Sequence, residues 1–336
     1  MRLLVLGGSV FLSRAVAEEA VRRGHEVTCA CRGTSGSVPS GARQVVADRS
    51  VGLPAELDGA YDAVVDVARH PSWVRAAVAR FPDAHWVFVS TINVYADDAT
   101  PGGGPGTLPL REPVHEDVDL HEDPEAYGPM KVACEQAVLD RAASAAVVRP
   151  GLIVGPGDPS GRFAYWPARL ADTGDHPEVL LPGSADATVQ VIDVRDLAAW
   201  LVRLAEERRT GTFDGTGQAT TRAAFTDAVA AAARELGRHD PTTTTFTAVP
   251  QEFLLEQDVQ PWTGPRSVPV WLPLPEYAGL MAHDVTASYD AGLVTRPLAE
   301  TARDTLLWLD AEPDAPVTGW SRADEAEVLA AWHARG

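Results

Sequence analysis

The sequence predicts an α/β fold built on a doubly wound parallel sheet, with a smaller lobe towards the carboxyl terminus. Over residues 1–155, six short apolar runs typical of strands alternate with amphipathic runs typical of helices. Strands alternating with helices pair in parallel through right-handed crossovers. After residue 155 the pattern is less regular, with helical runs near 194–208 and 222–237. We therefore expect a second region, 156–336, some of whose segments return to the sheet.

The individual elements follow from short local patterns. The predicted strands are RLLVLG, HEVTCACR, a run ending in VVADR, YDAVVDVA, HWVFVSTINVYA and SAAVVRPGLIVG. The runs between them space apolar residues three to four apart, as in SRAVAEEAVRRG, PSWVRAAVARF and MKVACEQAVLDRAA. The segment 96–125 is rich in Gly, Pro and acidic residues and predicts a long loop that is functional or mobile.

Composition excludes several classes of partner. The 336 residues carry a net charge of −19, which repels phosphate backbones and anionic lipid headgroups, so we expect neither nucleic acid nor membrane as a partner. No apolar run approaches the roughly 18 residues of a membrane span. Cys29, Cys31 and Cys134 cannot all pair and are expected to be reduced. These features predict a soluble, cytoplasmic protein.

The first strand is followed by a glycine turn that opens a helix, in GGSVFLS. A dinucleotide turn needs glycine where the backbone bends and where pyrophosphate approaches the helix N-terminus. Of the three glycines of a GxxGxxG pattern only Gly7 is kept, with Val10 and Ser13 at the other positions. The position of the turn favours a dinucleotide site of the Rossmann type over a turn in some other α/β protein. The expected contact residues are Gly7, Gly8, Ser9, Val10, Phe11 and Leu12.

The end of the second strand indicates which dinucleotide is bound. An acidic residue there would accept from the ribose 2′-OH of NAD, but the strand ends in Cys31 and Arg32 with no carboxylate. Arg32 could pair with a 2′-phosphate, so NADP is favoured over NAD, the alternative being that Arg32 is a solvated loop residue. Asp48, at the end of VVAD, could contact adenine or could be a turn residue.

A tyrosine and the single lysine of the chain stand four residues apart in YGPMK. On a helix, Tyr127 and Lys131 share a face, and an ammonium near a phenol lowers the phenol pKa and makes it a usable acid/base. The alternative is an exposed helical pair. Upstream, Ser90 and Thr91 end the fifth predicted strand, at the sheet edge where open α/β proteins bind ligands. A hydroxyl there could polarise a substrate oxygen.

The ordered set LVLGGSVFLSR, VFVSTINVY, YGPMK, VVRPGLIVGPGD and VQVIDVRDLA resembles the extended short-chain dehydrogenase/reductases, the NAD-dependent epimerase/dehydratase family. The resemblance implies that Tyr127 is the catalytic acid/base, that Lys131 lowers its pKa and binds the nicotinamide ribose, and that Thr91 is the catalytic hydroxyl. It also implies a homodimer, a substrate-binding role for 156–336, and cofactor contacts from Val67, Ala68, Ser90, Tyr127, Lys131, Pro150 and Gly151.

Three functions are compatible with these residues. The first is an NADP(H)-dependent oxidoreductase that interconverts a carbonyl and an alcohol on a small or medium organic substrate. The second is a nucleotide-sugar epimerase or dehydratase with tightly bound NAD(P), and the third is a non-catalytic dinucleotide-binding sensor. Candidate substrate residues are Ser90, Thr91, Asn93, Tyr165 and Trp166, although the last two could equally be core residues. The acidic residues of the long loop have no metal-ligand spacing, so no metal is expected.

Overall fold

The computed structural model describes residues 1–335, which form two compact units. The first unit contains 1–152, 194–217 and 283–295, and the remaining described residues form the second. Two segments of the predicted lobe thus belong to the first unit. The roles predicted for the two parts of the chain stay predictions.

The helices and strands follow one another along the chain with few long gaps. Their bounds are β1 (Arg2–Leu6), α1 (Phe11–Arg22), β2 (Glu26–Cys31), β3 (Arg43–Val46), β4 (Ala63–Asp66), α2 (Pro71–Arg80), β5 (His85–Val89), α3 (Tyr127–Arg141), β6 (Ser144–Pro150), β7 (Leu152–Val154), α4 (Tyr165–Leu170), β8 (Glu178–Pro182), β9 (Thr188–Val189), β10 (Val191–Asp193), α5 (Val194–Glu206), β11 (Gly211–Gly215), β12 (Thr220–Thr221), α6 (Arg222–Glu235), β13 (Thr245–Val249), α7 (Gln251–Glu256), β14 (Gln260–Pro261), β15 (Ser267–Val268), α8 (Thr286–Asp290), α9 (Leu298–Ala311) and α10 (Arg322–His333).

A seven-stranded parallel sheet forms the centre of the first unit. Its strand order is β11, β6, β5, β4, β1, β2, β3, which places the first strand in the interior and winds the chain outwards in both directions. The carboxyl ends of β1 and β4 are neighbours, since Leu6 pairs with Asp66. The predicted fold class, a doubly wound parallel sheet of the Rossmann type, is confirmed.

Burial explains why these short runs form strands. Every residue of β4 and β5 is buried, because helices cover both faces of the sheet. On one face, Trp86 and Phe88 pack with Cys134 and Val138 of α3 in a single apolar cluster. Helices α1 and α5 pack against each other and against the neighbouring strands. The strands that end at the carboxyl edge are therefore packed on both faces.

Two segments differ from the sequence expectation. The run predicted as one strand over 144–155 is interrupted at Gly151 and forms β6 and β7. The long loop after β5 is held by backbone hydrogen bonds, from Ala96 N to Pro109 O at 2.9 Å and from Arg111 N to Val94 O at 2.8 Å. These bonds return the chain alongside residues that follow β5, so the loop is ordered close to that strand.

All three cysteines are free thiols buried in the first unit. Burial raises the pKa of Cys29 to about 12 and, likewise, that of Cys134 to about 12. Both thiols are therefore protonated at neutral pH. Within residues 1–335, no helix has the length and apolar character needed to cross a bilayer.

The second unit is organised around helices α4, α6 and α9, which pack against one another. Phe225 of α6 makes edge contacts with Phe163 and Trp166, at ring-centroid distances of 6.0 and 6.1 Å. Strands β8 and β13 add a short parallel pair. This aromatic cluster is the core of the second unit.

Candidate active site

The glycine turn after β1 packs closely against Cys29 of β2. Gly7 and Gly8 have φ values of 136° and 107°, which favour glycine, and a Cβ on Gly8 would lie 2.5 Å from the Cys29 Sγ. Ser13 occupies a position where the dinucleotide pattern has glycine, and its hydroxyl donates to the Val10 carbonyl at 2.9 Å. The turn thus keeps its tight geometry although two of its glycines are replaced.

The amino terminus of α1 is open to a ligand. Val10 is the N-cap residue, provides no side-chain hydrogen bond to the first turn, and is 40% exposed. The first N–H groups of a helix need acceptors from outside the helix, and the helix dipole favours an anion there. Phe11, the first residue of α1, has the unusual φ of 38°. The predicted contact residues from Gly7 to Leu12 therefore form a cradle suited to a pyrophosphate.

Arg32 and Asp48 lie at the ends of neighbouring strands. Arg32 is exposed just beyond β2, and its charge contributes to lowering the pKa of Asp48. Hydrogen bonds from Ser50 are the larger cause of that lowering, because the Ser50 N–H and hydroxyl both donate to the Asp48 carboxylate, at 3.0 and 2.6 Å. Asp48 is thus a turn residue in this structure, and its contact with adenine stays a prediction.

Lys131 is buried where β4 and β5 end. Its Nζ donates to the Ala68 carbonyl at 2.7 Å and to the Val89 carbonyl at 2.5 Å. The ammonium also lies 4.6 Å from the centre of the Phe88 ring. Burial lowers the pKa of Lys131 to about 8. An ammonium has three N–H donors, so one remains for a ligand after these two bonds.

The acidity of Tyr127 differs from the sequence expectation. Burial raises the pKa of this phenol above its ordinary value, while a hydrogen bond with the Thr91 side chain and the positive charge of Arg69 act to lower it. Lys131 is not among these causes, and its ammonium donates to two backbone carbonyl groups. The expectation that Lys131 alone makes Tyr127 acidic is therefore not supported; Thr91 and Arg69, the latter missed by sequence reasoning, act on the phenol instead.

The buried lysine predicts a pH dependence of stability. Its pKa is about 8 in the folded chain against 10.5 as the ordinary value. Between these values the unfolded chain binds more protons, so the free energy of unfolding should rise with pH over this window relative to Lys131→Met. Urea unfolding at several pH values measures the difference. Parallel curves for wild type and Lys131→Met would contradict the lowered pKa.

Thr91, Ser90 and Asn93 occupy the turn that follows β5. Thr91 is 7% exposed, and its hydroxyl accepts from the Asn93 N–H at 3.2 Å. The Ser90 hydroxyl is buried and has no hydrogen-bond partner among residues 1–335, whereas Asn93 is exposed. A Cβ on Gly128 would lie 2.1 Å from the Asn93 carbonyl oxygen. Only glycine at this position lets the start of α3, and hence Tyr127, approach the Thr91 turn so closely.

The remaining predicted cofactor residues line the same sheet edge. Val67 contacts the glycine turn, with one methyl carbon 3.5 Å from where a Gly7 Cβ would be. Ala68 supplies a carbonyl to Lys131. Pro150 ends β6, and Gly151 lies against Thr216, whose hydroxyl is buried and unpartnered in the described chain. Two unpartnered hydroxyl groups, on Ser90 and Thr216, are thus present at the carboxyl ends of the strands.

Tyr165 and Trp166 lie in the core of the second unit. The Trp166 indole donates to the Pro269 carbonyl at 2.9 Å, and the Tyr165 hydroxyl accepts from the Trp320 indole at 2.6 Å. Tyr165 is 3% exposed and Trp166 is 1% exposed. This is the core-packing alternative, and nothing in these contacts supports the predicted role in substrate binding.

A buried polar network beside the Thr91 turn was not predicted from the sequence. The Tyr95 hydroxyl donates to Asp214 at 2.6 Å and accepts from Arg149 at 3.0 Å. Arg149 also forms a bidentate ion pair with Glu135, at 2.9 and 2.6 Å, and the His283 Nδ1 lies 2.8 Å from the Asp214 carboxylate. The network joins the turn after β5 to α3, β6 and β11. Among residues 1–335, no group of His, Cys, Asp and Glu side chains is arranged to hold a metal ion.

Comparison with known proteins supports the family resemblance. Residues 72–214 match the model of the NAD dependent epimerase/dehydratase family, a stretch that includes Thr91, Tyr127 and Lys131. No curated protein matches the chain. Over that stretch the match supports the predicted resemblance to this family, which the sequence motifs first indicated.

Solved structures with the same fold cover nearly the whole chain. UDP-N-acetylglucosamine 4-epimerase from Bacillus cereus is 18% identical, with a TM-score of 0.63, over 96% of this chain and 100% of that one. WbmH of Bordetella bronchiseptica, solved with NAD+, is 17% identical, with a TM-score of 0.62, over 93% and 99%. UDP-glucose 4-epimerase from Thermotoga maritima, solved with UDP-glucose, is 16% identical, with a TM-score of 0.60, over 93% and 99%. At these identities the likeness shows a shared fold, and the family model adds a match over residues 72–214 of the 336.

Proposed function

We propose that the protein is an epimerase or dehydratase of a nucleotide-linked sugar, which uses a tightly held nicotinamide dinucleotide and Tyr127 as the acid/base. The observation that carries the proposal is that Tyr127, Thr91 and Lys131 meet at the carboxyl edge of β4 and β5, beside the glycine turn after β1. The family match and the epimerases that share the fold favour this reaction over net reduction.

Each of the three side chains has a distinct task. The Thr91 hydroxyl holds the substrate oxygen, and the Tyr127 phenol takes a proton from that oxygen and later returns it. Lys131 keeps the ends of β4 and β5 together through its two carbonyl bonds, which leaves its third N–H for a cofactor ribose. The chemistry that a bound nicotinamide would supply is reversible hydride transfer. Because the proton and hydride both return, no external oxidant is consumed.

The residues of the glycine turn fit a dinucleotide. Glycine at position 8 lets the turn pack against Cys29, where a Cβ would meet the thiol, and the uncapped start of α1 offers N–H groups to phosphate oxygens. The unpartnered hydroxyl groups of Ser90 and Thr216 are donors and acceptors for the nicotinamide end. We propose that the assembly is a homodimer.

We further propose that NADP is bound in preference to NAD, because Arg32 is exposed at the end of β2 with no carboxylate on that strand end. Arg32→Ala should weaken NADPH binding by roughly 10- to 100-fold, the value of a charge-assisted hydrogen bond, and leave NADH binding nearly unchanged. Fluorescence titration of both cofactors measures this. The exposed Arg141→Ala is the control, and an equal loss for both cofactors would refute the role of Arg32.

A direct assay tests the proposed reaction. The purified chain is incubated with UDP-glucose and with UDP-N-acetylglucosamine without added cofactor, and products are followed by NMR. Conversion at a sugar carbon without accumulation of reduced cofactor is expected. Stoichiometric consumption of NADPH with a carbonyl substrate, and no conversion of either sugar nucleotide, would instead establish the oxidoreductase that Arg32 and a dissociable NADP favour.

A further inference from the structure

The second unit contains a buried arginine without a counter-charge. Arg222 is the first residue of α6 and is 2% exposed. It lies on the same face of the helix as Phe225 and Val229, whose side chains belong to the apolar interior of that unit. No carboxylate of the described chain forms an ion pair with it. Burial alone is the cause that lowers its pKa to about 10, so the side chain is still charged at neutral pH.

The two other buried arginines are each paired with a carboxylate. Arg149 forms its bidentate pair with Glu135, and Arg169 donates to Glu325 at 2.6 Å. A charge removed from water costs several kcal/mol unless an opposite charge and hydrogen bonds offset that cost. Arg222 is the exception among the arginines buried in residues 1–335.

The hydrogen bonds of Arg222 show which edge of the guanidinium is free. Nη1 and Nη2 both donate to one acceptor, the Val270 carbonyl, each at 3.3 Å. Nε has no partner within the described part of the chain. In Arg149 the edge formed by Nε and Nη2 holds the two oxygens of Glu135. The corresponding edge of Arg222 presents the same pair of N–H donors, a pair that binds an oxyanion side-on, and has no protein carboxylate on it.

The backbone N–H and carbonyl of Arg222 both have hydrogen-bond partners, unlike the side-chain Nε. Its N–H donates to the Ala187 carbonyl at 2.8 Å, and its carbonyl accepts from the Thr226 hydroxyl at 2.8 Å. The end of the helix is satisfied by the protein itself, with Thr221 as the N-cap that accepts from Ala224. The unmet requirement is therefore confined to one side chain, and it is a requirement for negative charge.

We propose that Arg222 is an anion-binding residue of the second unit, whose Nε edge binds a carboxylate or phosphate group of a ligand. The oxyanion supplies the counter-charge and accepts from Nε and one Nη. This site does not depend on the hydride chemistry proposed above, and its test requires no nicotinamide cofactor. Because the side chain is almost fully covered, ligand entry needs local opening, and binding must be read at equilibrium.

The test uses the full chain with inorganic phosphate and with acetate, each titrated at constant ionic strength against chloride. The thermal midpoint of the wild type should rise saturably with at least one of the two anions. Arg222→Met should lose that rise, whereas Arg234→Met, an exposed arginine on the same helix, should keep it. Arg222→Lys retains the charge and should bind the anion about tenfold more weakly, since a single ammonium cannot reproduce the side-on geometry.

The response to each anion identifies the class of ligand that Arg222 binds. A rise with phosphate alone assigns a phosphate-type ligand, and a rise with acetate assigns a carboxylate. If Arg222→Met does not fold, the weaker binding of Arg222→Lys decides. The proposal is overturned if neither anion gives a saturable rise in the wild type, or if the folded Arg222 variants respond as the wild type does.

Discussion

Tyr127→Phe should reduce kcat by about 10²- to 10⁴-fold, the range found when a positioned acid/base is removed. The substitution removes only the phenolic oxygen, the atom that we propose exchanges a proton with the substrate. Helix α3 and the buried Lys131 keep their contacts, so cofactor binding should weaken far less than kcat falls, by no more than the loss of about one hydrogen bond. Steady-state kinetics and a cofactor titration on the same preparation separate the two effects.

Tyr61→Phe is the matched control for this result. Tyr61 lies in the same unit and packs edge-on against Phe81 at 5.5 Å, far along the chain from the Thr91 turn. It loses the same hydroxyl and should retain full activity. If Tyr127→Phe turned over substrate as fast as Tyr61→Phe, proton transfer would have to come from another group and the proposed chemistry would be wrong.

Glu135→Gln should lower the free energy of unfolding by about 3–5 kcal/mol, because it leaves a buried guanidinium without its counter-charge. Arg149 and Glu135 are 5% and 2% exposed, and two hydrogen bonds join them. The amide keeps the shape of the carboxylate but not its charge. Urea unfolding of both proteins at the same pH gives the difference.

Two further variants make this measurement decisive. Glu207→Gln breaks an exposed pair with Arg203, whose side chains are 41% and 46% exposed, and should change stability by less than about 1 kcal/mol. The double variant Glu135→Leu with Arg149→Met removes both charges and should recover much of the loss. A loss for Glu135→Gln no larger than that for Glu207→Gln would show that the pair is effectively solvated.

Local patterns predicted the parts of the fold that depend on neighbouring residues. Helix α2 covers 71–80 and α5 covers 194–206, close to the expected runs, because apolar spacing and a proline at the start of α2 act locally. Strand β11 was not predicted, since Gly211–Gly215 is short and contains two glycines and an aspartate. It is a strand because it pairs with β6 at the edge of the sheet.

In the candidate site, too, local features could be predicted from the sequence and long-range contacts could not. The spacing of Tyr127 and Lys131 and the position of Thr91 were read from the sequence, and the structure brings these residues to one sheet edge. What Lys131 contacts could not be read, because Ala68 and Val89 precede it by 63 and 42 residues. Asp214 and His283 are 69 residues apart in the chain, and no local signal links two single polar residues over that distance.

The buried thiols of Cys29 and Cys134 can report how often the first unit opens. Cys29 and Cys134 are fully covered and stay protonated, so an alkylating reagent added to the folded protein has neither access nor a thiolate to attack. Reaction must then wait for strands and helix to separate. The labelling rate would thus report how often this half of the molecule comes apart, without any introduced probe.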